Sequence, residues 1–160
     1  MSERTTVQTM SGAVLSISAS LPATYDAAGY GATGVAFTVV GEIEDFGEHG
    51  LTANVSTFTP VATGVTTKLK GAIDYGTKSL VIGNIPSDAG QDIIEAAATS
   101  KDRYSVKVAY PAGQGESTGE IHYLDVLVTK RTWQDGATDA VRKLAVDLSI
   151  CRAPVVVAAS

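Results

Sequence analysis

Few residues of this 160-residue chain have types suited to chemistry: two histidines, one cysteine and some closely set carboxylates. Glu42, Glu44, Glu48 and His49 can be drawn as a metal site, but the spacing matches no zinc pattern and zinc would want more His or Cys. The plainer expectation is a solvated acidic turn. His122 falls in an alternating stretch and reads as an ordinary cross-strand position. Cys151 has no partner for a disulfide and no nearby base to make it a nucleophile, so a small buried residue at a strand end is expected. The glycines of Gly113-Gln114-Gly115-Glu116-Ser117-Thr118-Gly119 look like a phosphate cradle. The following Lys-Ser/Thr is missing and no helix opens there, which leaves a hairpin loop. No Gly-x-Ser-x-Gly elbow occurs. Asp88, Asp92 and Glu95 lie on a predicted helix as solvated carboxylates, and Trp133 suits a packing or interface anchor. No catalytic set and no cofactor are expected, and the chain does not read as an enzyme.

The elements that carry these residues are mostly extended. Ala13, Leu15, Ile17 and Ala19 alternate as a first strand, and Leu21 to Gly34 is a loop rich in small residues. Val35, Phe37, Val39 and Ile43 predict a second strand that runs into the acidic cluster. Two arms follow, Ala53 to Thr59 and Val65 to Ile73, with the turn between Pro60 and Gly64. Thr, Val and Phe favour strand in these arms, but they show no strong apolar face, and such a pair is only marginally stable alone. The hairpin is therefore expected to be mobile in a monomer. Lys78 to Gly83 is a short buried strand. Ser87 and Asp88 are cap candidates for a helix to Thr99, with Ala89, Ile93, Ile94 and Ala97 on one face. Gly90 in its first turn is a blemish of about 1 kcal/mol against Ala. Tyr104 to Tyr110, Ile121 to Thr132 and Leu144 to Ile150 are three further strands. Val155 to Ser160 is an apolar tail, exposed unless a partner covers it. The fold class is mainly β: one domain over 1–160, an antiparallel β-sandwich or barrel of about eight strands with one flanking helix and a long hairpin. Segments 1–11 and 153–160 are expected to be a flexible arm and tail.

Charged residues make up 18% and hydrophobic residues 44% of the chain. That hydrophobicity excludes disorder. The net charge of −5 disfavours gripping phosphate backbones. The charge is sorted. No Lys or Arg occurs from Thr5 to Thr67, where Asp26, Glu42, Glu44, Asp45 and Glu48 are all acidic. Met1 to Met10 lacks the pattern of a signal peptide, and no apolar run approaches the roughly 20 residues of a membrane helix. A soluble protein made in a reducing cytoplasm is expected, with no membrane partner.

From Gly64-Val65 onward the order of local patterns resembles the major tail tube protein of long, flexible-tailed bacteriophages. A Gly-Val strand leads into Ser79-Leu80-Val81-Ile82, and Ile85-Pro86-Ser87-Asp88-Ala89-Gly90-Gln91 opens the helix. Asp102-Arg103 then leads to the Tyr104 to Tyr110 strand and Pro111, a long strand ends in Val128-Thr129-Lys130, and the last closes at Arg152-Ala153-Pro154. The loop Ala112 to Glu120 is longer and richer in Gly than the family pattern, and no decorating domain is expected after Pro154.

The resemblance implies a β-sandwich with a flanking helix, six copies to a ring, and rings stacked into a hollow tube that carries DNA without binding it specifically. It implies partners of three kinds, namely a tape measure, a tail tip and a tail terminator protein, and a place in the virion after assembly in the host cytoplasm. A ring needs two different matching patches. The expected interface comprises the acidic residues Glu42, Glu44, Asp45 and Glu48, the hairpin residues Leu51, Val55, Phe58 and Val61, the basic residues Lys130, Arg131, Arg142 and Lys143, and Val155 and Val156 of the tail. The alternative is a monomeric β-sandwich binding or adhesion module.

Overall fold

A computed structural model describes residues 7–160; Met1 to Thr6, half of the expected N-terminal arm, lie outside the described residues. Among the described residues the chain is mainly β, with ten strands in antiparallel sheets and two helices. Strands β1 (Val14–Ser18), β2 (Thr38–Val40), β3 (Ile43–Asp45), β6 (Thr77–Gly83), β7 (Tyr104–Ala109), β8 (Ile121–Gln134) and β9 (Lys143–Ile150) form one sheet in the order β2-β1-β7-β8-β9-β6-β3. β10 (Val155–Val157) pairs with the start of β8, while β4 (Thr52–Phe58) and β5 (Thr67–Asp74) pair only with each other.

The alternation read from the sequence builds the core. Leu15 and Ile17 of β1, Leu80 and Ile82 of β6, Val106 and Val108 of β7, Leu124 and Val126 of β8, and Leu144, Val146 and Leu148 of β9 share one cluster. Both halves of the sheet contribute to that cluster, so the sheet folds over on itself around the long strand β8 as a β-sandwich. A register shift between Val128 and Lys130 marks a bulge in β8. It sends Arg131 and Trp133 to the face where Val146 and Leu144 stand opposite them, and added local twist is what such a bulge supplies.

Helix α2 (Ala89–Thr99) closes the sandwich, with Ile94 and Ala97 fully buried. Each large apolar side chain removed from water contributes about 1.5–3 kcal/mol. Its face differs from the expected one: Ala89 is exposed, and Gly90 and Gln91 are buried. Gly90 is no blemish. A Cβ there would lie 2.4 Å from the Val39 carbonyl oxygen, so only glycine lets the helix approach β2. Asp88 caps the helix, its carboxylate accepting from the Gln91 N–H at 3.0 Å and the Gly41 N–H at 3.3 Å. The Gln91 amide donates to the Gly83 carbonyl at 2.8 Å and accepts from the Ile85 N–H at 3.0 Å.

Several expectations are corrected. The strand read from Val35 to Ile43 is two strands at opposite edges of the sheet, β2 beside β1 and β3 beside β6. Glu42 separates them with a φ of 57°, a conformation that breaks a straight run. The Leu21 to Gly34 loop contains a one-turn helix, α1 (Ala27–Tyr30), capped by Asp26. Cys151 is exposed rather than buried, because it follows the buried Ile150 and alternation turns it outward. The C-terminal tail is a docked strand rather than a free one. β10 lies along Ile121–Tyr123, and Ser160 exchanges backbone hydrogen bonds with Thr118 at 3.0 and 3.1 Å. The Gly-rich loop thus receives the chain end, which answers the backbone groups a longer loop leaves open.

Candidate functional site

The hairpin β4–β5 is the part of the fold whose surface is least satisfied. Every residue of β5 is exposed, and in β4 only Ala53 is half-buried. Its turn is closed by the Gly64 N–H donating to the Pro60 carbonyl at 2.9 Å, with Gly64 at a φ of 64°. Of the fifteen large apolar side chains left exposed among the described residues, seven lie between 51 and 73, which concentrates them here. They include the expected Leu51, Val55, Phe58 and Val61; Phe58 is 63% exposed. Val65, Leu69 and Ile73 of the return arm join them.

The register sorts the hairpin into two faces. Val55 stands opposite Lys70 and Thr57 opposite Lys68, so both lysines share a face. Ser56 opposite Leu69 and Phe58 opposite Thr67 occupy the other face. A bulge between Ala53 and Val55 resets the alternation near the base.

The base of the hairpin is held by a relay of polar groups, buried at Lys78 and half-buried beyond it, that sequence reasoning left unconnected. Lys78 alternates with Leu80 and Ile82 and is drawn into the core's rim, where it is 1% exposed. Its Nζ donates to Nδ1 of His49 at 3.2 Å. His49 Nε2 then donates to Nδ1 of His122 at 2.7 Å, and His122 Nε2 donates to the Glu120 carboxylate. With the Lys78 ammonium as donor, the polarity of every link follows: each imidazole accepts at Nδ1 and donates from Nε2. Tyr110 packs edge-on against His122 at 4.9 Å. Burial, the Lys78 charge and His122 together push His49 from 6.5 down to about 4. Burial pushes Lys78 from 10.5 down to about 8, opposed by the Asp45 carboxylate. Gly47 carries the approach, since a Cβ there would sit 2.0 Å from the Ser79 carbonyl oxygen. His122 is therefore the middle of a relay rather than a plain cross-strand residue. Neither Lys78 nor Glu120 was a candidate from the sequence; the lysine in register with Leu80 and Ile82 was the available signal.

His49 is committed to this relay and Glu44 to an ion pair with Lys143 at 2.6 Å, so the acidic run is not organised as a metal site. Among the described residues no group of three His, Cys, Asp or Glu is placed to hold a metal ion. Glu42 and Glu48 are exposed. The expected basic partners are largely occupied within the chain. Arg131 reaches Glu95 at 3.5 Å and lies 4.4 Å from the Trp133 ring centroid, and Arg142 reaches Asp135 at 3.5 Å. Lys130 is exposed, Val155 is half-buried and Val156 is exposed. Of the acidic and basic residues expected to match between copies, Glu44 and Lys143 already meet within one chain.

A second polar cluster also went unread. Asp125, fully buried on the outer face of β8, accepts from Arg103 at 3.0 Å and from Arg152 at 3.1 Å. Arg152 covers the Tyr25 ring at 3.8 Å, and Tyr30 stacks on Tyr123 at 4.9 Å. This cluster fastens α1 and the start of β10 to the sheet. Tyr123 and Asp125 alternating against Leu124 and Val126 was the clue in the sequence.

No protein-family model and no curated protein matches the chain in sequence. Solved structures match it in fold. A chain of the sheath/tube terminator of the extracellular contractile injection system PVC, in its extended state, superposes with a TM-score of 0.67 at 9% identity, covering 96% of this chain and 98% of that one. A chain of the anti-feeding prophage baseplate superposes at 0.66 with 11% identity, covering 99% and 98%. A chain of the PVC sheath–tube complex superposes at 0.58 with 9% identity, covering 91% and 88%. The fold is therefore one found in the tube-and-sheath assemblies of phage-like injection particles.

Proposed function

We propose that the chain is a structural subunit of a phage-type tail tube. Six copies close a ring, rings stack into a hollow tube, and the tube conducts DNA during genome ejection. Tape measure, tip and terminator proteins are its partners, and the virion or a phage-like particle is its location. One observation carries the reading: the folded sandwich carries a paired hairpin with an apolar surface that the subunit itself does not cover. Apolar patches of that kind mark association surfaces. The fold shared over nearly the full length with chains of tube-and-sheath particles supports the same class. The open edges at β2 and β3 suit neighbours on either side, since free edges otherwise promote uncontrolled pairing. A net charge of −5 suits a wall along which nucleic acid slides instead of sticking. In this reading the hairpin is mobile in the free subunit and is ordered by the copies it meets.

The test is size-exclusion chromatography and negative-stain microscopy of the purified chain over a range of concentrations. Rings and hollow tubes are expected as concentration rises. A monomer at every concentration would overturn the proposal in favour of a β-sandwich binding module.

A further inference from the structure

Resting on the tube reading, we infer that the lysine-bearing face of the hairpin, Lys68 and Lys70, docks on the acidic run around Glu42 and Glu48 of a second copy. The observation behind this is that the described arginines and Lys143 are already spent within one subunit. Lys143 is paired with Glu44, Arg131 with Glu95, Arg142 with Asp135, and Arg103 and Arg152 with Asp125. Lys68 and Lys70 have no ion-pair partner among the described residues, and neither have Glu42 and Glu48. The lysines share one hairpin face with Val55, while Phe58 and Leu69 point away from it.

Reach separates the two patches within one subunit. The acidic run precedes the hairpin base at Thr52, and Lys68 stands opposite Thr57. Five residues of strand at about 3.3 Å each carry Lys68 roughly 17 Å beyond that base. The relay from Lys78 through His49 fixes the base to the sheet, so the arm does not fold back onto its own acids. Two different patches that cannot meet in one chain but match between chains make a head-to-tail contact, which is what an open stack of rings requires. Opposite charges there fix register and suppress wrong pairings more than they add affinity. The apolar face of the hairpin remains free for a different neighbour.

The test uses two charge-reversed chains, Lys68→Glu/Lys70→Glu and Glu42→Lys/Glu48→Lys, each checked by circular dichroism for the wild-type spectrum. Alone, each sets like charge against like, and the critical concentration for assembly is expected to rise at least about tenfold. Mixed in equal amounts, the reversed hairpin of one meets the reversed run of the other, and assembly is expected to return. Glu48→Lys alone covers the case in which the substitution at Glu42 disturbs its unusual backbone; it should raise the critical concentration and be rescued by Lys68→Glu. If wild type assembles and the reversed chains assemble equally well, or the mixture stays blocked, this pairing is wrong while the tube reading stands. If wild type itself never assembles, the tube reading fails first.

Discussion

The folded-over sheet and the β4–β5 hairpin are built from the same kind of antiparallel strand, yet they are stabilised differently. In the sheet, every second side chain enters a shared core, and β8 alone supplies Leu124, Val126 and Val128 to it. In the hairpin, cross-strand pairs have no layer behind them, and Phe58 and Leu69 face solvent. Backbone pairing defines the shape of both, but burial stabilises only the sheet. A strand pair with nothing to pack on is a surface awaiting another chain.

The largest expected effect comes from exchanging matched truncations between the two regions. Leu124→Ala should cost about 2–5 kcal/mol in urea unfolding of the monomer, because it leaves a cavity in the core. Phe58→Ala should change the same measurement by less than about 0.5 kcal/mol, while its assembly, followed by light scattering, is lost or strongly weakened. Equal unfolding costs would erase the distinction between the regions.

Next in size is Gly90→Ala. A Cβ pressed to 2.4 Å from the Val39 carbonyl oxygen must displace either α2 or β2. Overpacking of this kind costs about 1–3 kcal/mol, against the gain that alanine ordinarily brings to a helix. Thermal denaturation reads the sign directly.

The relay between the regions gives a pH signature. The folded chain keeps His49 neutral down to about pH 4, whereas an unfolded histidine takes up a proton near 6.5. The unfolded state therefore binds more protons between these values, and stability falls as pH drops from about 6.5 to 4. His49→Phe should flatten that part of the stability profile measured by chemical denaturation. Lys78 acts in the same sense at higher pH: its depressed value makes stability rise as pH increases from about 8 toward 10.5. Smallest of all, Lys143→Ala removes the partly exposed pair with Glu44. Such pairs are worth about 0.2–1 kcal/mol, so its effect on unfolding should be slight and should shrink with salt.

Much of the sheet was legible because alternation is a local signal: Leu144, Val146, Leu148 and Ile150 declare a buried face without reference to any other strand. The helix cap at Asp88 was legible for the same reason. What stayed hidden depends on partners far along the chain. Gly90 reads as a defect until β2 is seen against it. Lys78, His49 and His122 come from three separate segments, and only the sheet order brings them together. The break at Glu42 was missed because apolar residues continue on both sides of it while the chain crosses from one edge of the sheet to the other. The hairpin's exposed apolar residues could be counted in the sequence; the split into a lysine face and an apolar face needed the register and its bulge.

The central claim is that the sandwich stands on its own and the hairpin acquires its stability from neighbouring copies. Amide hydrogen exchange of residues 52–74, compared between monomer and assembled protein, tests this most directly. Rapid exchange is expected through the hairpin of the monomer, slow exchange in β8 and β9 of both forms, and strong protection of the hairpin on assembly. Equal protection of the hairpin in monomer and assembly would contradict it.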